Sequence, residues 1–247
     1  MRQDFDFRAQ RLFVDAELTA GGTLSPTSAQ VNYLRNVLRL AAGAEIIVFN
    51  GRDGEWSARL HEAGRRAISL EVVRQLRRQE SGPDIDYLFA PLKRARLDYM
   101  VQKAAEMGVR RLRPVLTRHT IADRVNLERM QANVVEAAEQ CGILHLPEIV
   151  APVRLERALA EWRPERRLVF CDEGAEIASP VAALSTLAPG PVAVLIGPEG
   201  GFAAEERDAL LAHAFVMRIS LGPRILRADT AAVAALTLVN AVVGDWR

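Results

Sequence analysis

The sequence predicts two parts: a small β-barrel carrying one helix, then an α/β domain on a mainly parallel sheet. Three observations predict this. Short β-type runs bounded by turn residues dominate residues 1–76. From residue 85 onward, strand-like and helix-like periods alternate, the pattern of an α/β fold. Between them, residues 77–84 (Arg-Arg-Gln-Glu-Ser-Gly-Pro-Asp) are polar and turn-rich, which marks a linker.

In the first part, residues 11–14 and 45–49 are strand-like, the second ending in the turn Asn50-Gly51-Arg52-Asp53-Gly54. Residues 55–60 answer it, so the two runs predict a hairpin, and residues 67–73 supply another strand. One helix interrupts them after Ser25-Pro26, where Val31, Leu34, Leu38 and Ala41 recur at helical spacing. In the second part, strands are expected at 87–91, 112–116, 168–171, 192–196 and 216–221, with helices between them. Helix 94–108 buries Leu97, Met100, Val101 and Ala104; helix 126–141 buries Leu127, Met130, Val134, Ala137 and Cys141. The last helix, 230–243, has no charged residue. A helix apolar all round must be buried all round, which gives it a central position, a subunit interface, or both. Asp229 or Thr230 is placed to cap it.

Composition narrows the function classes. Of 247 residues, 49% are hydrophobic and 26% charged, as in ordinary globular proteins and unlike disordered, collagenous or mucin-like chains. No apolar run approaches the roughly 18 residues of a membrane span. The first residues alternate charge with Phe and lack an apolar signal core, so the cytoplasm is the expected compartment. Two cysteines, Cys141 and Cys171, are too few for a disulfide framework and suit a reducing compartment. Cys141 and His145 lie four apart, but Pro147 ends the segment, and no metal-ligand spacing occurs elsewhere; no metal is expected. Net charge is only +1, yet residues 93–118 carry eight Lys or Arg against Asp98 and Glu106. Such a patch suits phosphates, or else a solvated helix face.

The sharpest local signal is the apolar run 192–196 followed by Gly197-Pro198-Glu199-Gly200-Gly201-Phe202. A glycine-rich loop at the carboxyl end of a parallel strand exposes backbone amides to a ligand. Its spacing is neither the dinucleotide fingerprint nor a P-loop. A second loop repeats the arrangement, with Ile219-Ser220-Leu221 leading into Gly222-Pro223-Arg224-Ile225-Leu226-Arg227-Ala228-Asp229. Together they suit a flat, mostly neutral ligand. Serine-hydrolase, aspartic-dyad and Cys–His spacings are not found.

This pair of loops closely resembles the SPOUT RNA methyltransferases, and among them the small-subunit rRNA uridine-N3 methyltransferases (RsmE type). Further stretches agree in order and spacing: Tyr33-Leu34-Arg35-Asn36-Val37-Leu38-Arg39; Lys93-Arg94-Ala95-Arg96-Leu97-Asp98 with Gln102-Lys103-Ala104-Ala105-Glu106-Met107-Gly108-Val109; and Glu136-Ala137-Ala138-Glu139-Gln140-Cys141-Gly142 with Pro147-Glu148-Ile149. Two positions depart from the family pattern. Ile143 stands where an arginine is usual, and Asp229-Thr230-Ala231 replaces Glu-Thr-Ala.

The resemblance implies a carboxyl-terminal SPOUT domain (85–247) with a trefoil knot, and a PUA-like RNA-binding barrel (1–76). It implies S-adenosylmethionine (SAM) held by Leu195, Ile196, Gly197, Pro198, Glu199, Gly200 and Gly201 from one loop. Leu221, Gly222, Arg224, Ile225 and Leu226 hold it from the other, with the end of an earlier strand completing the wrap. The implied partners are 16S rRNA or the small ribosomal subunit, and a second copy of the chain. Arg8, Arg11, Arg35, Arg39, Lys93, Arg96, Lys103 and Arg118 are expected on RNA, with Arg35 and Arg39 projecting from one side of their helix. Arg227 and Asp229 are the candidate catalytic pair, the alternative for Asp229 being a helix cap. Rival expectations are a related enzyme acting on a ribose 2′-hydroxyl or another base, and a non-catalytic RNA-binding protein.

Overall fold

The computed structural model describes residues 9–62, 67–122, 124–176 and 178–246. Two compact units result. One contains residues up to Ser81 together with Ala138–His145; the other contains Gly82–Ala137 and Leu146 onward.

The first unit is a five-stranded sheet: β1 (Arg11–Phe13), β2 (Thr23–Leu24), β3 (Glu45–Phe49), β4 (Glu55–Glu62) and β5 (Ile68–Arg77), in the order β1-β3-β4-β5-β2. The expected hairpin is β3–β4, antiparallel with Ile47 opposite Ser57. Its turn is held by Asn50, whose Oδ1 accepts from the backbone N–H groups of Arg52 (3.0 Å) and Asp53 (2.8 Å). Gly54 is required there: its φ is +83°, and a Cβ would lie 2.3 Å from the Arg77 carbonyl. Alternate residues of the strands join one core that includes Leu12, Leu24, Val48, Leu60 and Leu70, so one face of the sheet is apolar.

The helix in this unit starts at α1 (Ser28–Asn32), capped reciprocally by Thr27 and Gln30, and widens into a π-helical turn over Tyr33–Val37. It has ended by Arg39, whose φ is +55°. The four-residue spacing therefore does not place Arg35 and Arg39 on one helix face. Arg35 donates to the Ala67 carbonyl at 3.2 Å.

The second unit is a sheet in which every pairing is parallel: β6 (Ile85–Phe89), β7 (Arg111–Leu116), β8 (Glu148–Ile149), β9 (Val153–Arg154), β10 (Arg167–Cys171), β11 (Val192–Ile196) and β12 (Val216–Ile219). The order is β12-β10-β11-β6-β7-β8, with β9 also on β7. Helices α2 (Arg94–Glu106), α3 (Leu127–Cys141), α4 (Leu155–Ala160), α5 (Pro180–Leu184), α6 (Ala204–Leu211) and α7 (Ala228–Val242) connect or follow the strands. Strands buried on both faces read as continuous apolar runs, and Val192–Ile196 is fully buried along its length.

Helix α2 buries the expected stripe of Leu97, Met100, Val101 and Ala104. In α3, Met130, Val134 and Ala137 are buried, but Leu127 and Cys141 are exposed. They are the first and last residues of the helix, where the packed stripe has run out.

Helix α7 starts earlier than expected, at Ala228, with Arg227 in the cap position; Asp229 lies in the first turn and is not the cap. It packs on α2, α5 and β11. One face (Ala231, Ala232, Ala235, Leu236, Val239, Asn240) is buried, while Val233, Ala234, Thr237 and Leu238 are half-buried and Ala241 is exposed. Within one chain the uncharged stretch of this helix, from Thr230 onward, is therefore not covered on every side.

Candidate active site

Strand register builds the site. Cys171, the last residue of β10, lies between Ile196 of β11 and Ile219 of β12. The loops leaving the three strands thus emerge side by side at the carboxyl edge. The two glycine loops flank a third segment, Asp172-Glu173-Gly174, and together with Asp172 and Glu173 they line a cavity of about 690 Å³. Every residue from Ile196 to Gly201 lines it, as does every residue from Ser220 to Ala228. Leu195 is buried in the core behind the first loop. A cleft at strand carboxyl ends is where α/β sheets bind ligands.

The first loop has a specific reason for its glycines. A Cβ on Gly197 would lie 2.4 Å from the Phe202 ring, which is itself buried and packs edge-on to Phe170 at 5.0 Å. Gly201 has φ +68°, and a Cβ there would lie 2.6 Å from Oε1 of Glu173. The loop is pinned by Glu206 in the first turn of α6. Its Oε2 accepts from the Ala203 N–H (3.0 Å) and its Oε1 from the Arg118 N–H (2.8 Å). His119 Nδ1 lies 3.1 Å from the carbonyl oxygens of Gly200 and Gly201. In the second loop Gly222 has φ +109°, and its N–H donates to Ser220 Oγ at 3.2 Å.

The middle segment is fixed by charge. Asp172 is buried and accepts from Arg207 Nη2 (3.0 Å), Arg218 Nε (2.7 Å) and the Gly174 N–H (3.0 Å). Cys171 also lines the cavity, and burial pushes its thiol pKa up to about 12. It remains protonated near neutrality and is no nucleophile.

Arg227, at the start of α7, lines the cavity together with Ala228 and Ala231, whereas Asp229 is not among the lining residues. Asp229 is half-buried, and its Oδ1 accepts from the Thr230 N–H at 2.9 Å. Buried Tyr87 has its pKa raised well above the usual value, first by desolvation and then by electrostatic interaction with neighbouring acidic groups, among them Asp229.

The basic residues expected on RNA separate into distinct groups. Arg39, Lys93 and Arg118 are exposed and Arg96 is half-buried. Arg96 forms an ion pair with Glu199 at the cavity wall. Lys103 is engaged by Glu106 on the next turn of α2, at 2.7 and 2.9 Å. Arg8 lies outside the described residues. Arg11 corrects the expectation of a phosphate contact: its side chain is only 3% exposed. It bonds Glu55 (3.0 Å) and the carbonyls of Ala138 and Ile143 at the end of α3. Arg77 joins it on Glu55 and donates to the Gly142 carbonyl (2.7 Å). Cations at these carbonyls complement the negative end of the helix. Desolvation lowers the Arg11 pKa, against the opposing pull of Glu55.

Sequence reasoning gave no site role to Asp172, Glu173, Glu206 or His119. The placement of β10 between β11 and β12 brings the first two into the site, and no local signal announces it.

Comparison with known proteins agrees with this geometry. A family model described as an RNA methyltransferase domain matches residues 79–240, and one described as an RNA methyltransferase PUA domain matches residues 26–73. The ribosomal RNA small subunit methyltransferase E of Rickettsia conorii is 28% identical, over 93% of this chain and 94% of its own length. Its Synechocystis namesake is 32% identical, over 95% of this chain and 78% of its own. The Neisseria gonorrhoeae ribosomal RNA small subunit methyltransferase E, solved bound to S-adenosyl methionine, matches with a TM-score of 0.85. It is 26% identical, over 97% of this chain and 100% of that one. Spanning most of its length, these matches show that the chain belongs to the RNA methyltransferase domain family, with a PUA domain preceding that domain.

Proposed function

We propose that this protein transfers the methyl group of SAM to N3 of a uridine in 16S rRNA of the small ribosomal subunit. The observation that carries this is the cavity at the carboxyl ends of β10–β12, where two glycine loops face each other across Asp172-Glu173-Gly174. The residues fit the cofactor. Gly222, where a Cβ would meet nothing within 4 Å, leaves its backbone open to a purine nucleoside, Gly197, Gly200 and Gly201 let the first loop fold close against Phe202, His119 and Glu173, and Ile196, Leu221 and Leu226 offer apolar walls. The solved relative with this cofactor bound supports the assignment.

When bound, SAM supplies an electrophilic methyl carbon on a sulfonium. The loop backbones orient it. Uracil N3 must lose its proton before its electron pair can form the new N–C bond as the C–S bond breaks, with that pair passing to sulfur. Asp229 accepts the proton, and Arg227, at the cavity wall, stabilises the imidate anion. Because the N3 edge is otherwise base-paired, the target uridine is single-stranded or splayed out of its helix.

The RNA is held by Arg35, Arg39, Lys93, Arg96 and Arg118, with residues 1–76 as the RNA-binding domain, 77–84 as linker and 85–247 as the catalytic domain. The catalytic domain is a trefoil knot. The chain acts as a homodimer in the cytoplasm, with the uncharged stripe of Val233, Ala234, Thr237, Leu238 and Ala241 at the interface. Mass mapping of 16S rRNA from cells lacking this protein tests the function. One uridine should lose a base methyl and regain it on incubation with the purified protein and SAM. An unchanged methylation map would reject the reading.

A further inference from the structure

A second cavity, of about 1190 Å³, adjoins the first. Arg96 and Glu199 line both, and their ion pair forms the threshold between them. Leu97, Val125 and Met130 contribute apolar surface to the second cavity. Among the described residues, its two lining carboxylates are each engaged. Glu199 pairs with Arg96, and Asp98 accepts from Arg129 at 2.8 and 2.6 Å and from Asn133 at 2.9 Å. Lys93, Arg94 and Arg124 also line it. All three are exposed, and none forms an ion pair among the described residues.

Apolar surface beneath uncompensated cations is the chemistry of a nucleotide site: base faces meet the apolar part, phosphates the cations. From this arrangement we infer that the second cavity binds the single-stranded RNA beside the target uridine. Lys93, Arg94 and Arg124 take its phosphates, and Arg96 positions the strand at the threshold to the methyl donor. This rests on the methyltransferase function above and adds to it a defined strand path and two residues, Arg94 and Arg124.

The test uses the full-length protein carrying Arg94→Gln and Arg124→Gln, singly and together, with Arg157→Gln as a control. Arg157 is exposed on α4 and pairs with Glu161. Binding of a fluorescent single-stranded, uridine-containing RNA oligonucleotide is followed against salt. The log–log slope should shrink by about 0.7 for each phosphate contact removed. The double variant should lose about tenfold in RNA affinity, and its KM for rRNA should rise while kcat and SAM affinity hold. Arg157→Gln should leave the slope unchanged. An unaltered slope in the double variant, or an equal loss in the control, would overturn the inference. A changed oligomeric state by light scattering, with RNA binding intact, would assign the cavity to a second copy instead. If wild-type protein shows the expected slopes but transfers no methyl group, the catalytic reading fails and the strand site stands. An active enzyme with insensitive slopes gives the reverse.

Discussion

Asp86, near the amino end of β6, is fully buried among arginines. Its carboxylate accepts from Arg111 at 2.8 and 2.7 Å, and Arg113 and Arg166 lie at 3.4 and 3.5 Å. Arg166 also bonds Asp84 (2.7 Å) and the Val192 carbonyl (2.9 Å). At the opposite edge of the same sheet, the strands run out into glycine loops around a cavity. At the amino edge a buried carboxylate ties neighbouring strands together; at the carboxyl edge Asp172 does the same, but beside it the strands run out into glycine loops that line the cavity. The contrast teaches that the two edges fail differently: one should lose stability when altered, the other affinity.

The largest effect is expected at the amino edge. Asp86→Ala leaves several guanidiniums without their shared carboxylate. Breaking a buried pair from one side costs about 3–5 kcal/mol. Urea denaturation should show that loss, while the protein that remains folded should bind SAM with unchanged affinity. A loss well under this range would mean that Asp84 carries the network.

At the carboxyl edge, Gly201→Val and Gly200→Val sharpen the comparison. Position 201 combines a positive φ with a close approach to Glu173, whereas a Cβ at position 200 would meet only His119, at 3.4 Å. Gly201→Val should weaken SAM binding by about a hundredfold and cost about 1–3 kcal/mol for the strained backbone. Gly200→Val should weaken binding by about tenfold, leaving stability near that of the wild type. Calorimetry and thermal melts separate the two. Full SAM affinity in Gly201→Val would remove this loop from the cofactor site.

Legibility in the sequence followed the same division. Strands 45–49 and 192–196 match β3 and β11 end to end, because apolar runs stop at turn residues on both sides. The two glycine loops were legible because each directly follows its strand. Asp172 and Glu173 were not, since only the order of β12, β10 and β11 brings them between those loops. Arg11 was misread because exposed and buried arginines look alike in sequence; its partners are 44 and 127 positions away. Short elements such as β2, β8, β9, α4 and α5 offer too few periods to register.

Asp229→Asn asks whether a charge matters at the carboxyl edge. Since Arg227 occupies the cap position, a lost cap cannot account for any effect. Asparagine Oδ1 can still accept from the Thr230 N–H. If Asp229 takes the uridine proton, turnover at saturating SAM and rRNA should fall about a hundredfold, the scale of lost acid–base catalysis, with SAM affinity retained. Normal turnover would leave Asp229 a structural role, and Arg227 would stand alone.

The smallest effect is expected from Asp98, a carboxylate that, like Asp86, is bound in fork geometry by an arginine. The difference is exposure: Arg129 is 60% exposed and Asp98 19%, against 29% for Arg111 and none for Asp86. The hydrogen bonds of Arg129, and after them Asn133, hold the Asp98 pKa below the usual carboxylate range. A carboxylate depressed in the folded state stabilises above its unfolded pKa, near 4, and loses that contribution as pH falls through the folded value. Solvent screening keeps such a pair within about 1 kcal/mol. Asp98→Ala should therefore be destabilised by less than that at neutral pH, and its difference from the wild type should shrink in acid, once pH has fallen through the lowered pKa and the wild-type carboxylate is protonated. Denaturation curves at neutral pH and in acid check it. A difference that persists in acid would mean that Asp98 contributes through packing rather than charge, and the parallel with Asp86 would end at geometry.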